Sequence, residues 1–205
     1  MTKIIGMSGA HGTGKSATLE YIKNDPIIDN IKVDEYKFSR SVLKSLGQTL
    51  EEATATVEST KSYQTKVLDS VRRRNYLLKL LEPQGDVTVN LVDRSVADVY
   101  AYTRLWSEKN NIDAEWFEKF EAKCAEMVSA YDIIFLFPTG KIPFVDDGVR
   151  AKEDTQASIA QYISEFLAKY AKRYYVVQST SIEDRASEIQ IVLHMLSLRP
   201  PVAQA

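Results

Sequence analysis

The chain has 205 residues, a length that fits one domain with a sizeable core. Its 44% hydrophobic and 26% charged residues are typical of a soluble globular protein. The sequence contains no run of 18 apolar residues, so no membrane-spanning helix is predicted. The net charge of −2 gives no general preference for nucleic acid, and the single cysteine, Cys124, excludes an internal disulfide. The lone thiol and the lack of a signal peptide before the first strand predict a cytoplasmic protein.

Strand-like and helical segments alternate along the chain. The predicted strands cover 3–8, 31–35, 87–93, 132–137 and 173–178. The predicted helices cover 15–24, 39–46, 51–81, 96–110, 114–129, 155–170 and 182–198. This alternation predicts an α/β fold with a parallel sheet, in which ligands bind beyond the carboxyl ends of the strands. We expect a single domain over 1–198 and a flexible tail over 199–205.

The first predicted strand leads into a complete match to G-x-x-x-x-G-K-[ST], and a helical pattern follows it. In that setting, backbone N–H groups and a helix N-terminus surround a phosphate group. The motif predicts that Lys15 reaches the β- and γ-phosphates of ATP and that the Ser16 hydroxyl binds Mg²⁺. The residues expected to bind ATP are Gly9, Ala10, His11, Gly12, Thr13, Gly14, Lys15, Ser16 and Thr18. Residues 9–16 are called the phosphate loop below.

The third predicted strand ends at Asp93, and Arg94 follows it. Ser95 and Asp98 form an S-x-x-D capping box, so a helix is expected to begin there. Asp93 and Arg94 should therefore face the crevice that contains the phosphate loop. A carboxylate there can orient Mg²⁺ or accept the proton of an attacking hydroxyl, and a guanidinium can hold phosphoryl oxygens. The alternative is a structural Asp–Arg pair at a strand–helix junction.

Together with residues 97–102, these motifs resemble the P-loop nucleoside and nucleotide kinases. The most similar group is related to the ribosylnicotinamide kinase domain of NadR-type proteins and includes several phage kinases. Residues 38–41, Gln64 and residues 143–150 also resemble that group. The resemblance implies a three-layer P-loop kinase fold with a five-stranded parallel sheet in the order 2-3-1-4-5. It also implies transfer of the ATP γ-phosphoryl group to a hydroxyl or a phosphate.

The resemblance further implies an acceptor site. Gln64 lies on an apolar helix face and would hydrogen-bond the acceptor, or alternatively backbone or water, because an unpaired buried amide costs about 1–3 kcal/mol. Asp34 would bind a sugar hydroxyl or act as a base, unless it is a solvated turn residue, and Tyr102 would stack on a base or belong to the core. The residues expected to bind the acceptor are Asp34, Arg40, Gln64, Tyr102, Asp146 and Asp147.

A lid is expected around 139–155. Arg150 would swing over the γ-phosphate and neutralise the developing charge, as an arginine finger in cis does. By the resemblance, Asp146 and Asp147 border the acceptor site. The alternative is a solvated cluster of charges.

The sequence favours an ATP- and Mg²⁺-dependent kinase for a nucleoside, a nucleotide or a related ribosyl small molecule, with Lys15, Asp93, Arg94 and Arg150 as catalytic residues. One alternative is a kinase that phosphorylates a hydroxymethyl-pyrimidine base in phage DNA, with Arg72, Arg73 and Arg74 contacting the strand. Another is a nucleotide-gated switch or ATPase. The identity of the acceptor and the oligomeric state, a homodimer included, are left open.

Overall fold

The computed structural model describes residues 2–25, 31–80, 88–141 and 153–196. Its elements in chain order are β1 (Thr2–Ser8), α1 (Lys15–Asn24), β2 (Ile31–Asp34), α2 (Phe38–Leu46), α3 (Leu50–Ala53), α4 (Val57–Leu80), β3 (Thr88–Asp93), α5 (Val96–Lys109), α6 (Ala114–Val128), β4 (Ile133–Leu136), α7 (Glu153–Tyr170), β5 (Tyr174–Val176) and α8 (Ile182–Met195). The strands form one parallel sheet in the order β2-β3-β1-β4-β5, which confirms the expected order 2-3-1-4-5.

The sheet lies between two helical layers. One apolar cluster joins it to helices α2 to α7, and a second joins it to α1 and α8. Every residue of β3 and β4 is buried, as expected for parallel strands that are covered on both faces. The expected three-layer α/β architecture is therefore present.

The strand register determines where the site forms. β1 is the central strand, and its Met7 lies opposite Asp93 at the end of β3. The backbone N–H of Arg94 then donates to the Met7 carbonyl at 3.1 Å. The phosphate loop, which follows β1, and the strand-end residues of β3 therefore meet at one edge of the sheet.

The predicted helix over 51–81 is wrong in one respect, because the structure divides it into α3 and α4. Thr49 and Glu52 form a capping box that starts α3. The Thr56 hydroxyl accepts the backbone N–H of Ser59 at 3.1 Å and so caps the beginning of α4. Polar side chains with a capping geometry thus interrupt an otherwise helical pattern.

Two sequence expectations concern the rest of the chain. Cys124 is fully buried, and burial raises the pKa of its thiol, which fits a core position. None of the helices in the described ranges has the length and apolar character needed to cross a bilayer.

Candidate active site

The phosphate loop turns through three glycines with positive φ angles, 152° at Gly9, 72° at Gly12 and 81° at Gly14. A Cβ atom on Gly9 would lie 2.6 Å from the backbone oxygen of Phe137, so a side chain at Gly9 would clash with backbone that cannot easily move. Gly14 is the N-cap of α1 in the left-handed conformation, which glycine adopts without strain. The loop therefore ends on the N-terminus of a helix, as the motif predicts.

The ammonium group of Lys15 is buried against the loop. Its Nζ donates to the backbone oxygens of Gly9 and Ala10, both at 2.6 Å, and to Oγ1 of Thr13 at 3.1 Å. These bonds engage the three donors that a lysine has. Thr18 is fully buried, and its hydroxyl donates to the Gly14 carbonyl at 3.1 Å, so it contacts the loop where the loop joins α1.

Two helices on the C-terminal side of the chain hold the phosphate loop, and sequence reasoning missed both contacts. From α8, the guanidinium of Arg185 donates from Nη1 to the Thr13 carbonyl and from Nε to the Ser179 carbonyl, both at 2.9 Å. From α7, the Gln156 amide donates to the carbonyl of His11 at 2.7 Å. Arg185 is only 1% exposed. No local motif marks these residues, because they reach the loop through tertiary packing.

Asp98 does more than cap α5. One of its oxygens accepts the Ser95 N–H at 3.0 Å, which completes the predicted capping box. The other accepts the backbone N–H of Gly9 at 3.3 Å and lies 3.4 Å from Nη1 of Arg94. This buried carboxylate therefore links the phosphate loop to the end of β3.

Asp93 lies at the centre of the site, with 4% of its surface exposed. Its Oδ2 is 3.5 Å from the Ser16 hydroxyl and 2.6 Å from Nζ of Lys37. Its Oδ1 is buried and has no hydrogen-bond partner among the residues that the structure describes. Burial by itself would raise the pKa of Asp93, but the hydrogen bond from Lys37 and the charges of Arg94, Lys37 and Lys15 outweigh it and lower that pKa. Asp93 is therefore ionised at neutral pH.

Arg94 has a φ of 66°, an uncommon angle for a residue other than glycine. Its guanidinium lies over the ring of Tyr102 at 5.2 Å, and the Tyr102 hydroxyl is 3.2 Å from Nδ1 of His11. Burial opposes the charge of Arg94, but Tyr102, Asp98 and Asp93 outweigh burial and raise its pKa. Tyr102 thus contacts the strand-end arginine and the phosphate loop.

Arg74 on α4 donates hydrogen bonds to the backbone at the end of β3. It is 6% exposed, its Nη1 donates to the carbonyl of Asp93, and its Nη2 donates to the carbonyl of Arg94, both at 3.2 Å. The guanidinium also stacks over the ring of Phe38 at 4.3 Å. Of the three consecutive arginines, Arg72 and Arg73 are exposed and Arg74 is internal, so Arg74 is not available to contact DNA.

The expected acceptor residues lie in different environments. Gln64 is 3% exposed, and its Oε1 accepts the hydroxyl of Thr103 at 3.0 Å, so a protein group satisfies part of its amide. Asp34 ends β2 on the strand next to Asp93, is half-buried, and accepts the N–H of Tyr36 at 2.9 Å. Arg40 is exposed on α2. Asp34 is therefore at the same sheet edge as Asp93, whereas Gln64 lies between α4 and α5.

The lid residues Arg150, Asp146 and Asp147 lie outside the described residues. Of the expected lid over 139–155, the structure describes 139–141 and 153–155.

The site offers two oxygen ligands that fit Mg²⁺. Within the described ranges, no group of three or more His, Cys, Asp or Glu side chains could hold a metal ion. Mg²⁺ commonly uses one or two protein oxygens and completes its shell with water and substrate phosphates. Ser16 and Asp93 match that donor set, because Oδ2 of Asp93 lies 3.5 Å from the Ser16 hydroxyl and Oδ1 is buried with no partner in the part of the chain that the structure describes.

Comparisons with known proteins agree with this architecture. A family model described as an AAA domain matches residues 4–185. The structure of NadR protein in complex with NR is similar, with a TM-score of 0.65, 16% identity, and coverage of 100% of this chain and 54% of that chain. Thymidylate kinase from Candida albicans is also similar, with a TM-score of 0.68, 14% identity, and coverage of 100% of this chain and 96% of that one.

These likenesses show the fold, which is that of the P-loop kinases. The chain spans about half the length of the NadR chain that it matches. No curated protein matches it.

Proposed function

The chain belongs to the AAA-domain family whose model it matches over residues 4–185, and we propose that it is an ATP- and Mg²⁺-dependent kinase. It would transfer the γ-phosphoryl group to a hydroxyl or phosphate of a nucleoside, a nucleotide or a related ribosyl small molecule. The observation that carries this proposal is the meeting of the phosphate loop with Asp93, whose carboxylate lies 3.5 Å from the Ser16 hydroxyl.

The phosphate loop would bind the ATP. Its backbone and the N-terminus of α1 bind the phosphates, and Lys15 supplies a positive charge beside them. Ser16 and Asp93 would hold Mg²⁺, which when bound neutralises charge on the phosphates. Lys15 already lies within the loop, so it needs only to exchange the carbonyl oxygens of Gly9 and Ala10 for phosphate oxygens.

The residues at the end of β3 would assist the transfer of the phosphoryl group. Asp93 is ionised and buried, so it can accept the proton of an acceptor hydroxyl or orient the metal. Arg94 carries a firmly held positive charge next to it and can bind transferring phosphoryl oxygens. Phosphoryl transfer relies on positioning and charge stabilisation and needs no covalent intermediate.

The acceptor class is supported by the two similar structures. The NadR structure was solved with NR, and the other protein is named as a thymidylate kinase. For this chain we propose an acceptor site beside Asp34, Arg40, Gln64 and Tyr102. Asp146, Asp147 and Arg150, which the resemblance assigns to the acceptor border and to the lid, lie outside the described residues, and their roles stay predictions.

The test is ADP release by the purified protein with Mg²⁺·ATP and a panel of nucleosides, nucleoside monophosphates and nicotinamide riboside. We expect turnover that depends on one class of acceptor and is abolished by Asp93→Asn. Lys119→Met is the matched control, because Lys119 is exposed and pairs with Glu115 on the remote helix α6. ATP hydrolysis at the same rate with and without every acceptor would contradict the kinase proposal and favour a nucleotide-gated ATPase.

A further inference from the structure

Lys37 is a cation of the site that the sequence does not single out. It is the N-cap residue of α2, and its Nζ lies 2.6 Å from Oδ2 of Asp93. Its side chain is 42% exposed, whereas that of Asp93 is 5% exposed. A solvent-accessible ammonium group therefore reaches into the site and pairs with a buried carboxylate.

The same carboxylate oxygen faces the expected metal position. Oδ2 of Asp93 lies 3.5 Å from the Ser16 hydroxyl. Two neighbouring oxygen ligands of an octahedral Mg²⁺, each about 2.1 Å from the metal, lie about 3 Å apart. A divalent cation held between the Ser16 hydroxyl and Oδ2 would therefore share that oxygen with the ammonium group of Lys37, and one bound through Oδ1 would still share the same carboxylate charge. Two cations on one buried oxygen repel each other strongly, because little water lies between them.

The other cations around Asp93 are fixed by several contacts. Lys15 makes three hydrogen bonds within the phosphate loop. Arg74 bonds to two backbone carbonyls and to the Tyr131 hydroxyl. Arg94 pairs with Asp98 at 3.4 Å and lies over the ring of Tyr102 at 5.2 Å. Lys37 has a long side chain that is open to solvent, so it can leave Asp93 at little cost in packing. Lys37 is thus the cation best able to yield its place.

We propose that Lys37 is the counter-ion that Asp93 keeps until a divalent cation with nucleotide displaces it, so that Lys37 weakens the affinity of the site for the metal. This inference rests on the proposed function. It makes Lys37 a positioning residue that acts through Asp93. Lys37 is the N-cap residue of α2 and lies between Asp34 and Arg40 in the sequence, so a displaced ammonium group would stay on the proposed acceptor side.

The experiment measures Mn²⁺ affinity by electron paramagnetic resonance in the presence of a non-hydrolysable ATP analogue. For Lys37→Met we expect the Kd for Mn²⁺ to fall about fivefold or more, since an ion pair of this kind contributes on the order of 1 kcal/mol. Lys37→Arg retains the charge and should bind Mn²⁺ like the wild type. Lys44→Met is the matched control, because Lys44 is an exposed lysine of the same helix. Should Lys37→Met fold poorly in a thermal unfolding assay, Lys37→Gln replaces it.

Asp93→Asn provides the decisive background. Combined with Asp93→Asn, the Lys37→Met substitution should leave the Kd for Mn²⁺ unchanged, because the contested carboxylate is gone. An unchanged Kd in the single Lys37→Met variant would overturn the inference. An equal fall in both backgrounds would also overturn it, since Lys37 would then act as a distant charge. If the wild type binds no Mn²⁺ with the nucleotide analogue, the proposed function itself fails.

Discussion

The two sides of Asp93 are built differently. On the nucleotide side, side chains from three helices hold the backbone of the phosphate loop, and two of them, Asp98 and Arg185, are buried. Asp98 of α5 accepts the Gly9 N–H, Gln156 of α7 donates to the loop, and Arg185 of α8 does the same. Lys15 is itself buried against the loop. The shape of the nucleotide side is therefore fixed by the fold.

The acceptor side is more open. Arg40 is exposed, Lys37 is nearly half-exposed, and Asp34 accepts the backbone N–H of Tyr36, two residues away. Gln64 is the buried member of this side, and its amide is partly satisfied by Thr103. The fold therefore specifies how a triphosphate is held, whereas the choice of acceptor depends on side chains that packing constrains less.

The largest effect is expected from Lys15. Replacing it with Ala removes the charge that faces the phosphates, and kcat/KM should fall about 10²–10³-fold with every acceptor. Lys23→Ala is the matched control, because Lys23 lies on the same helix, is exposed, and pairs with Glu35. Steady-state kinetics with the acceptor identified in the panel measure both. Undiminished phosphorylation by the Lys15 variant would remove the basis for the nucleotide side.

Gly9 tests whether the loop backbone is as tightly held as the contacts indicate. Its φ of 152° and the 2.6 Å that would separate an added Cβ from the Phe137 oxygen predict that Gly9→Ala lowers stability by about 1–3 kcal/mol and weakens ATP binding. Gly47→Ala is an informative control. Gly47 also has a positive φ, 64°, but a Cβ there meets nothing within 4 Å. Urea unfolding of both variants should show a larger loss for Gly9, and equal losses would contradict the steric argument.

The difference between the two sides also explains what the sequence could reveal. The phosphate loop and the Ser95–Asp98 capping box depend on local patterns, so a single sequence is enough to predict them. The approach of Asp93 to the loop could be predicted because the carboxyl ends of parallel strands lie at one edge of the sheet, and the structure makes β1 and β3 neighbours there. These features are carried by short segments or by sheet topology.

The supporting residues could not be found in this way. Nothing in the sequence distinguishes three cations from ordinary surface residues: Lys37, Arg74 and Arg185. Only the folded structure shows that Arg74 and Arg185 are buried. The buried partner of Gln64 was equally hidden, because Thr103 belongs to another helix. A hydrogen bond between distant segments leaves no periodic signal in a single sequence.

Arg185 on α8 tests whether the nucleotide side can be weakened without affecting the acceptor side. Arg185→Met would leave the carbonyls of Thr13 and Ser179 without their donor, at a cost of about 1–3 kcal/mol in stability. We expect a higher KM for ATP and an unchanged KM for the acceptor. Arg173→Met, at an exposed arginine before β5, is the control. A raised acceptor KM in the Arg185 variant would show that the two sides are coupled through the fold.

The smallest effect is expected from Thr103, whose hydroxyl shares its one proton between Oε1 of Gln64 at 3.0 Å and the Val99 carbonyl at 2.7 Å. Thr103→Val keeps the shape and removes a hydrogen bond worth about 1 kcal/mol. If Gln64 positions the acceptor, this variant should raise the acceptor KM a few-fold while the KM for ATP stays constant, and Gln64→Leu should raise it further. In the double variant, the substitution of Thr103 should add nothing, because its effect passes through Gln64. Equal acceptor KM values in all four proteins would make the pair a structural contact between α4 and α5 and would move the acceptor toward Asp34 and Arg40.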